Sequence, residues 1–180
     1  MRSVVAITGA SGSIYGIRLL EELPGEKILV LSETAKQIVL AETGMSVEDV
    51  EDLADIVCGD DDLAAPISSG SFKIDRMFVA PCSSSSIAKF ACGIADTLIS
   101  RTVAVCLKER RDLILVPRET PKSQIMLENE LKLARCGAVI LDANPGFYPG
   151  PTSVDDMVDF VVGKCLDAAG IENSLFRRWG

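Results

Sequence analysis

The sequence predicts an α/β fold, a three-layer α/β/α sandwich around a mainly parallel sheet. Three observations lead to this fold class. Short apolar runs alternate with longer segments of helical periodicity, most of the short runs are apolar on both faces, and loops rich in Gly, Ser and Pro follow them. In a parallel sheet such loops converge on one edge, where ligands bind.

Five short runs are predicted to be strands. The first begins directly after Met1-Arg2, and all five consist mainly of aliphatic side chains, as expected for strands that are buried on both faces. In chain order, the predicted strands are residues 3–8, 27–31, 76–80, 113–116 and 138–141.

Six longer segments are predicted to be helices. Pro24-Gly25 stops the first of them, and Ser153 followed by Asp155 and Asp156 is typical of the N-terminus of the last. In chain order, the predicted helices are residues 13–23, 33–43, 47–57, 86–99, 123–135 and 154–169.

A chain of 180 residues, 48% of them hydrophobic, is long enough to bury a sizeable core, and we expect residues 1–180 to form one domain. No apolar run reaches the roughly 18 residues that a membrane span requires. No signal-peptide apolar region follows Met1. We therefore expect a cytoplasmic protein.

The chain is acidic, with a net charge of −8 and a pI of about 4.6. This balance argues against general binding to nucleic acids or anionic membranes, because basic surfaces hold such polyanions. The charges are segregated, however. Residues 37–72 carry nine acidic side chains and no Lys or Arg, whereas residues 101–122 carry six basic and three acidic ones, a local balance of +3. The basic segment is either a solvated face or an anion site.

Histidine is absent, and the six cysteines form no CxxC pair. These facts exclude Ser-His-Asp, Cys-His and His-metal mechanisms and disfavour a structural zinc site, so no metal is expected. Acid–base chemistry is left to carboxylates, Lys, Tyr, Cys or the substrate's own groups. Cys106 and Cys136 are predicted to be small core residues.

The first predicted strand runs into the segment "GASGSIYG", residues 9–16, and then into a helix. Its glycines permit a tight turn, and the first amides of the helix are expected to be free for an anion. The spacing differs from the G-x-G-x-x-G of dinucleotide sites, there is no Walker lysine, and the second strand ends in Ser32 rather than in an acid. Since Glu33 follows, an NAD site is disfavoured but stays open, as does a structural turn without a ligand.

Three further polar loops follow predicted strands. Residues 83–86 are four serines where a helix cap needs one, which favours ligand contact over capping alone. Residues 117–121 hold an Arg-Glu pair beside the basic segment, either as a surface salt bridge or as part of an anion site. Residues 144–151 form a rigid loop that carries Tyr148, with ordinary loop packing as the alternative reading.

Six segments together resemble the UbiX-type flavin prenyltransferases, and the match covers nearly the whole chain. The segments are "TGASGSIYGIRLL", "APISSGSF", "APCSSSS", "GIADTLISR", "CLKERRDLILVPRETP" and "GFYPGPTSVDDMVDFVVGKCLDAAGI". One glycine motif would be weak support, but six motifs in the family's order are specific.

The resemblance implies a Rossmann-like (flavodoxin-like) form of the sandwich and a metal-independent prenyltransferase. Reduced FMN would accept a dimethylallyl group from dimethylallyl phosphate on its central-ring nitrogen, and a fourth ring would then close onto the adjacent aromatic carbon. The prenylated FMN would serve UbiD-type decarboxylases. Members of the family are commonly dodecamers, so a homo-oligomer is implied as well.

The resemblance also implies roles for individual residues. Ser11 and Glu42 would lie near the reacting nitrogen, and Glu119 would hydrogen-bond the phosphate or move a proton. The FMN contacts would be Gly9, Ala10, Ser11, Ser32, Ser83, Ser84, Ser85, Ser86 and Arg101. The donor would meet Ser69, Gly70, Lys108, Arg118, Glu119, Tyr148, Lys164 and Trp179. Within this set Ser69 and Gly70, together with Ser68, would line the prenyl pocket, and Trp179 would reach a neighbouring subunit's site.

Three positions depart from the family's pattern. Ser84-Ser85 replaces Met-Lys in a common S-M-K-T segment, Ser68 replaces a common Ala, and Ala104 replaces a common Asp, a change without a functional explanation.

Two other functions stay open. An FMN-dependent decarboxylase of the cysteine type would rely on a catalytic His and a PxMN loop, which this chain lacks. A non-catalytic FMN-binding protein would keep the glycine loop but would have no need of the basic residues assigned to the donor.

Overall fold

The computed structural model describes residues 1–180 as six strands and seven helices. The strands are β1 (Arg2–Ile7), β2 (Glu26–Leu31), β3 (Ile56–Gly59), β4 (Arg76–Cys82), β5 (Asp112–Pro117) and β6 (Val139–Ile140). The helices are α1 (Ser13–Glu22), α2 (Glu33–Thr43), α3 (Val47–Glu51), α4 (Ser84–Cys92), α5 (Leu98–Glu109), α6 (Gln124–Arg135) and α7 (Val154–Ala168). A 3₁₀ turn at Pro66–Ser68 precedes β4.

All six strands are parallel and lie in the order β3-β2-β1-β4-β5-β6. In the middle of the sheet, Val4 of β1 is paired with Ile28 of β2 and Met77 of β4. The order of the strands reverses between β1 and β4, which opens a crevice at their carboxyl ends, as in Rossmann arrangements. The sheet therefore confirms the predicted fold class and fixes where a ligand site belongs.

The sheet separates two apolar cores, because successive side chains of a strand point to opposite faces. Val4 and Ala6 of β1 belong to the core that packs against α4, α5 and α6, whereas Val5 and Ile7 belong to the core under α1, α2 and α7. Each core contains 21 buried residues. The three-layer arrangement thus follows from strands that are apolar on both faces.

The predicted helix over 47–57 is wrong in its second half. Helix α3 ends at Glu51, and Ile56–Gly59 forms the edge strand β3, which pairs only with β2. Because β3 lies at the edge, Ile56 and Val57 are exposed, and the segment lacks the continuous apolar run that marks the buried strands.

The predicted helix over 86–99 is also wrong, since two helices meet there. Helix α4 runs from Ser84 to Cys92 and is ended by Gly93, whose φ of 72° is left-handed, and α5 then runs from Leu98 to Glu109. Thr97 and Ser100 form a capping box at the start of α5. The left-handed glycine and this capping box separate the two helices.

The cysteines differ from one another in burial. Cys106 lies in the core as predicted, and burial raises the pKa of its thiol to about 12. The prediction for Cys136 is wrong, because this residue follows the last turn of α6 and is exposed. No helix of the structure combines the length and the apolar character that crossing a membrane would require.

Candidate active site

Loops that follow β1, β2 and β4 enclose a polar cleft of about 320 Å³ at the carboxyl edge of the sheet. A Cβ on Gly9 would come within 2.7 Å of the Thr34 side chain at the start of α2, so glycine allows this close approach. The predicted residues that line the cleft are Gly9, Ser32, Ser83, Ser84, Ser85 and Ser86, and the residues that the sequence did not point out include Thr8, Thr34, Asp60, Lys89 and Ser100.

Thr8 joins the two strands at the point where their order reverses. Its buried hydroxyl donates to the Pro81 carbonyl at 2.9 Å and accepts the Ser83 amide at 2.8 Å. The loops after β1 and β4 are therefore fixed relative to each other. A polar residue at the end of an otherwise apolar strand is the sequence signal that could have identified Thr8.

The serines of the cleft cap two helices. Ser32 accepts the Ala35 amide at the start of α2, and Ser83 accepts the Ser86 amide at the start of α4. The Ser83 and Ser86 hydroxyls also lie 2.9 Å apart and share a hydrogen bond. Ser84 and Ser85 are exposed, so their hydroxyls and the first-turn amides of α4 remain available to a ligand.

Glu42 occupies the N-terminus of α1. Its carboxylate accepts the amides of Gly12 at 2.9 Å and Ser13 at 3.1 Å. Partial burial raises the pKa of Glu42, but the Ser11 hydroxyl and the two amides outweigh burial and hold the pKa below its usual 4.5. The structure thus brings Ser11 and Glu42 together. It also corrects one expectation, because these amides of α1 are already bonded to a carboxylate and are not free for an anion.

Asp60 follows β3 and holds the start of α5. Its carboxylate accepts the Ile99 amide at 2.9 Å, and its carbonyl accepts the Leu98 amide at 2.7 Å. Arg101, one turn into α5, donates from Nε to the Ser68 carbonyl at 2.9 Å and is not among the residues that line the polar cleft. Sequence reasoning missed Asp60 because it did not predict β3.

A second cleft of about 430 Å³ follows β5, lined by Arg118, Glu119, Thr120, Lys122, Asp142 and Asn144 among others. Arg118 is half-buried, and its Nε is buried without a hydrogen-bond partner. Glu119 is exposed and accepts the Thr120 amide at 3.2 Å. Burial raises the pKa of Tyr15 on α1, and the positive charge of Arg118 partly opposes that shift. Helix α1, which begins four residues after Gly9 of the first cleft, therefore also comes near Arg118 of the second.

Lys108, Ser69 and Gly70 lie away from the second cleft. Lys108 lies in the last turn of α5 and pairs with Glu109 at 2.6 Å, and a Cβ on Gly70 would come 2.9 Å from the Lys108 ammonium. Lys108 precedes β5 and Arg118 follows it, so the six residues of this strand separate them by about 20 Å. One chain does not bring these two groups of predicted donor contacts together.

Tyr148 and Trp179 are in contact. Their rings meet edge to face with centroids 5.4 Å apart, and Tyr148 packs in the same way on Phe160 of α7 at 5.7 Å. Lys164 lies one turn further along α7 and faces Asp167 at 3.7 Å. Trp179 is 82% exposed, so its indole ring is available to a neighbouring molecule.

No group of three or more His, Cys, Asp or Glu side chains in the chain is arranged to hold a metal ion. The polar groups of the first cleft are mainly hydroxyls and helix amides, with the Asp60 carboxylate and the Lys89 ammonium, and those of the second are one guanidinium, one ammonium, two carboxylates, a hydroxyl and an amide. These groups suit hydrogen bonding to a nucleotide and to an anion.

The comparisons with known proteins agree with this arrangement. A family model described as Flavoprotein matches residues 1–166. The flavin prenyltransferase UbiX of Thermoplasma acidophilum is 52% identical over 180 residues, which covers 99% of this chain and all of the relative. The chain belongs to the UbiX flavin prenyltransferase family. The resemblance predicted from the six motifs is thereby confirmed.

Two solved structures of UbiX-like proteins superpose closely on this UbiX family member. AnUbiX in complex with FMN and dimethylallyl pyrophosphate has a TM-score of 0.97 at 46% identity, with 99% of this chain and 97% of that chain covered. A dodecameric FMN-dependent UbiX-like decarboxylase from Escherichia coli O157:H7 also has a TM-score of 0.97 at 46% identity, with both chains fully covered. Ser84 and Ser85, which depart from the family pattern, are exposed in this member.

Proposed function

We propose that the protein is a flavin prenyltransferase that moves a dimethylallyl group from dimethylallyl phosphate to reduced FMN and so forms prenylated FMN. The observation that carries this proposal is the buried, unpartnered Nε of Arg118 in a polar cleft after β5, beside the serine-lined cleft because Pro117 pairs with Cys82, which precedes the four serines. An orphaned guanidinium donor has a strong preference for an anionic partner. A protein that only carried FMN would have no need of it.

The serine-lined cleft supports FMN as the acceptor. Hydroxyls at the start of α2 and α4, together with first-turn amides of both helices, suit the phosphate and ribityl groups of a mononucleotide. The residues of the cleft that would hold it are Gly9, Ser32 and the four serines from Ser83 to Ser86. Ala10, Ser11 and Arg101, which do not line the cleft, would add further contacts to FMN from beside it. When bound, reduced FMN supplies the nucleophilic nitrogen and the neighbouring aromatic carbon.

The protein's own residues act on the donor. As the allylic carbon–oxygen bond breaks, negative charge grows on the departing phosphate, and Arg118 stabilises it. Glu119 hydrogen-bonds the phosphate or moves a proton, and the departing phosphate is itself a base in a chain without histidine. Ser11 and Glu42, which are hydrogen-bonded to each other, would lie near the reacting nitrogen.

The complete donor site requires more than one copy of the chain. Lys108, Ser69 and Gly70 lie at the other end of β5 from Arg118, and Trp179 is exposed. A homo-oligomer, which we propose to be a dodecamer, brings these residues to the Arg118 cleft of a neighbouring copy, with Tyr148 and Lys164 completing the donor contacts. The product passes to a UbiD-type decarboxylase in the cytoplasm.

Carbon dioxide release distinguishes this function from direct decarboxylation. The protein is incubated anaerobically with reduced FMN and dimethylallyl phosphate, or with the diphosphate, and an aromatic acid is added with or without a UbiD-type apoenzyme. We expect carbon dioxide only when the apoenzyme is present. Release from the aromatic acid by this protein alone would contradict the proposal and favour a decarboxylase.

A further inference from the structure

Lys122 is the largely buried cation of the second cleft. Its ammonium contacts Glu130 at 2.9 and 3.0 Å and also pairs with Asp142, and only 16% of the Lys122 side chain is exposed. Glu130 is buried in the second turn of α6, and Asp142 follows β6. One ammonium therefore joins three segments that are separate in sequence.

The three segments surround the groups that act on the donor. Lys122 ends the loop that carries Arg118 and Glu119, and Asp142 begins the segment that leads to Tyr148. Both Lys122 and Asp142 line the same cleft as Arg118 and Glu119, whereas Glu130 lies behind it. The ion pairs thus tie the loop to the opposite wall of the cleft and to α6.

A role as a direct phosphate ligand does not suit Lys122. Its single positive charge already faces two carboxylates, so the local charge of the three groups is −1, which repels an anion. A largely buried ion cluster also contributes little net stability compared with apolar packing. The contacts of Lys122 with Glu130 and Asp142 instead support a role in fixing the position of the loop that carries Arg118 and Glu119.

We propose that Lys122 is a positioning residue: clamped between Glu130 and Asp142, it holds the Arg118–Glu119 loop in the geometry that binds the donor phosphate. The inference rests on the proposed function for its substrate, although the clamp itself is a property of the chain. A displaced guanidinium loses hydrogen bonds to phosphate, so the main effect falls on donor binding and not on FMN binding.

Donor affinity of the FMN-loaded oligomer, measured by calorimetry with dimethylallyl phosphate, tests the clamp. We expect Lys122→Met to weaken binding about tenfold, and Glu130→Gln to weaken it as well, while Lys122→Arg stays within about threefold of the parent. The affinity for FMN is expected to remain unchanged in all three variants.

Arg18→Met is the matched control. Arg18 also joins several carboxylates across two helices, with Asp159 of α7 and Glu21 and Glu22 of α1, and it does not line either cleft. It is expected to bind dimethylallyl phosphate like the parent, even if it unfolds more easily. Equal weakening in Arg18→Met and Lys122→Met would overturn the proposal, because it would indicate a general loss of stability.

Glu130→Gln separates positioning from direct contact. If Lys122 bound the phosphate itself, removing a competing carboxylate would strengthen donor binding, and that result would overturn the proposal. Unchanged donor binding in Lys122→Met would overturn it as well.

Hydrogen exchange keeps the test independent of the proposed function. The amides of Arg118, Glu119, Thr120 and Lys122 are expected to exchange faster in Lys122→Met, and those of the same loop at the parent's rate in Lys122→Arg. If the parent does not bind dimethylallyl phosphate, the proposed function is wrong. The exchange rates then test on their own whether Lys122 fixes the position of the loop. Identical exchange of these loop amides in the parent and in Lys122→Met would overturn the proposed positioning role of Lys122.

Discussion

Glu42 fills the position at the start of α1 where the glycine motif led us to expect an anionic ligand. Its carboxylate accepts hydrogen bonds from the amides of Gly12 and Ser13 and lies beside Ser11. Because the partner is 30 residues away in sequence, no local pattern could have predicted the contact. The consequence is that these two amides are not free for a ligand, whereas the exposed Ser84 and Ser85 at the start of α4 remain accessible.

The contact makes stability depend on pH in a defined direction. The pKa of Glu42 is lower in the folded protein than its usual 4.5, so the unfolded chain binds more protons and Glu42 stabilises the fold above about pH 5. As pH falls through the folded pKa, this contribution is lost.

We expect Glu42→Gln to lower the free energy of unfolding by about 0.3–1 kcal/mol at pH 7, and the difference from the parent to shrink towards pH 3. Urea unfolding at several pH values measures it. Glu172→Gln, at an exposed carboxylate without a hydrogen-bond or ion-pair partner, is the control. A difference that grows as pH falls would contradict the assignment.

At the scale of elements, the buried central strands were predictable and the edges were not. Residues 3–8, 27–31, 76–80 and 113–116 match β1, β2, β4 and β5 to within two residues, because strands buried on both faces are apolar throughout. β3 at the edge and the boundary between α4 and α5 were missed. The order of the strands depends on pairing between segments that are distant in sequence, and the hydrophobic periodicity of each segment does not specify that pairing. The same pairing brings Thr8 and Asp60 to the serines of the first cleft.

The boundary after α4 depends on Gly93. Its φ of 72° is left-handed, and a Cβ there would meet no atom within 4 Å, so an alanine would be strained only in its backbone. We expect Gly93→Ala to lower the free energy of unfolding by about 1 kcal/mol, measured by urea denaturation.

Cys92→Ala, at the neighbouring exposed helical position, is the control and is expected to change little. If Gly93→Ala were as stable as the parent, α4 would continue past residue 93, as the sequence alone had suggested.

At the scale of the whole molecule, the separation of Lys108 from Arg118 by the length of β5 is the main constraint on the site. A phosphate cannot contact both within one chain. In the sequence, both residues belong to the basic segment 101–122, which suggests a single anion site. The path of the chain through β5 shows instead that they lie at opposite edges of the sheet.

Mixed oligomers test this constraint. We expect Lys108→Ala and Arg118→Ala each to lower prenylation by about 10²-fold, since each loses a group that stabilises the departing phosphate. Co-expression of the two variants is expected to restore part of the activity, because some junctions then combine an intact Lys108 with an intact Arg118 of another copy.

A mixture of Arg118→Ala with Glu119→Gln is the control and should restore less, because both changes lie in the same cleft. Absence of any restoration in the Lys108→Ala and Arg118→Ala mixture would contradict a site shared between copies.

The mass of the flavin after the reaction tests the central claim most directly. The protein is incubated anaerobically with reduced FMN and saturating dimethylallyl phosphate, and the flavin is released and analysed by mass spectrometry, with Arg118→Ala as the control. We expect a flavin heavier by one five-carbon unit from the parent and mainly unmodified FMN from the variant. Only unmodified FMN from the parent, with dimethylallyl phosphate and with the diphosphate, would contradict the assignment as a flavin prenyltransferase.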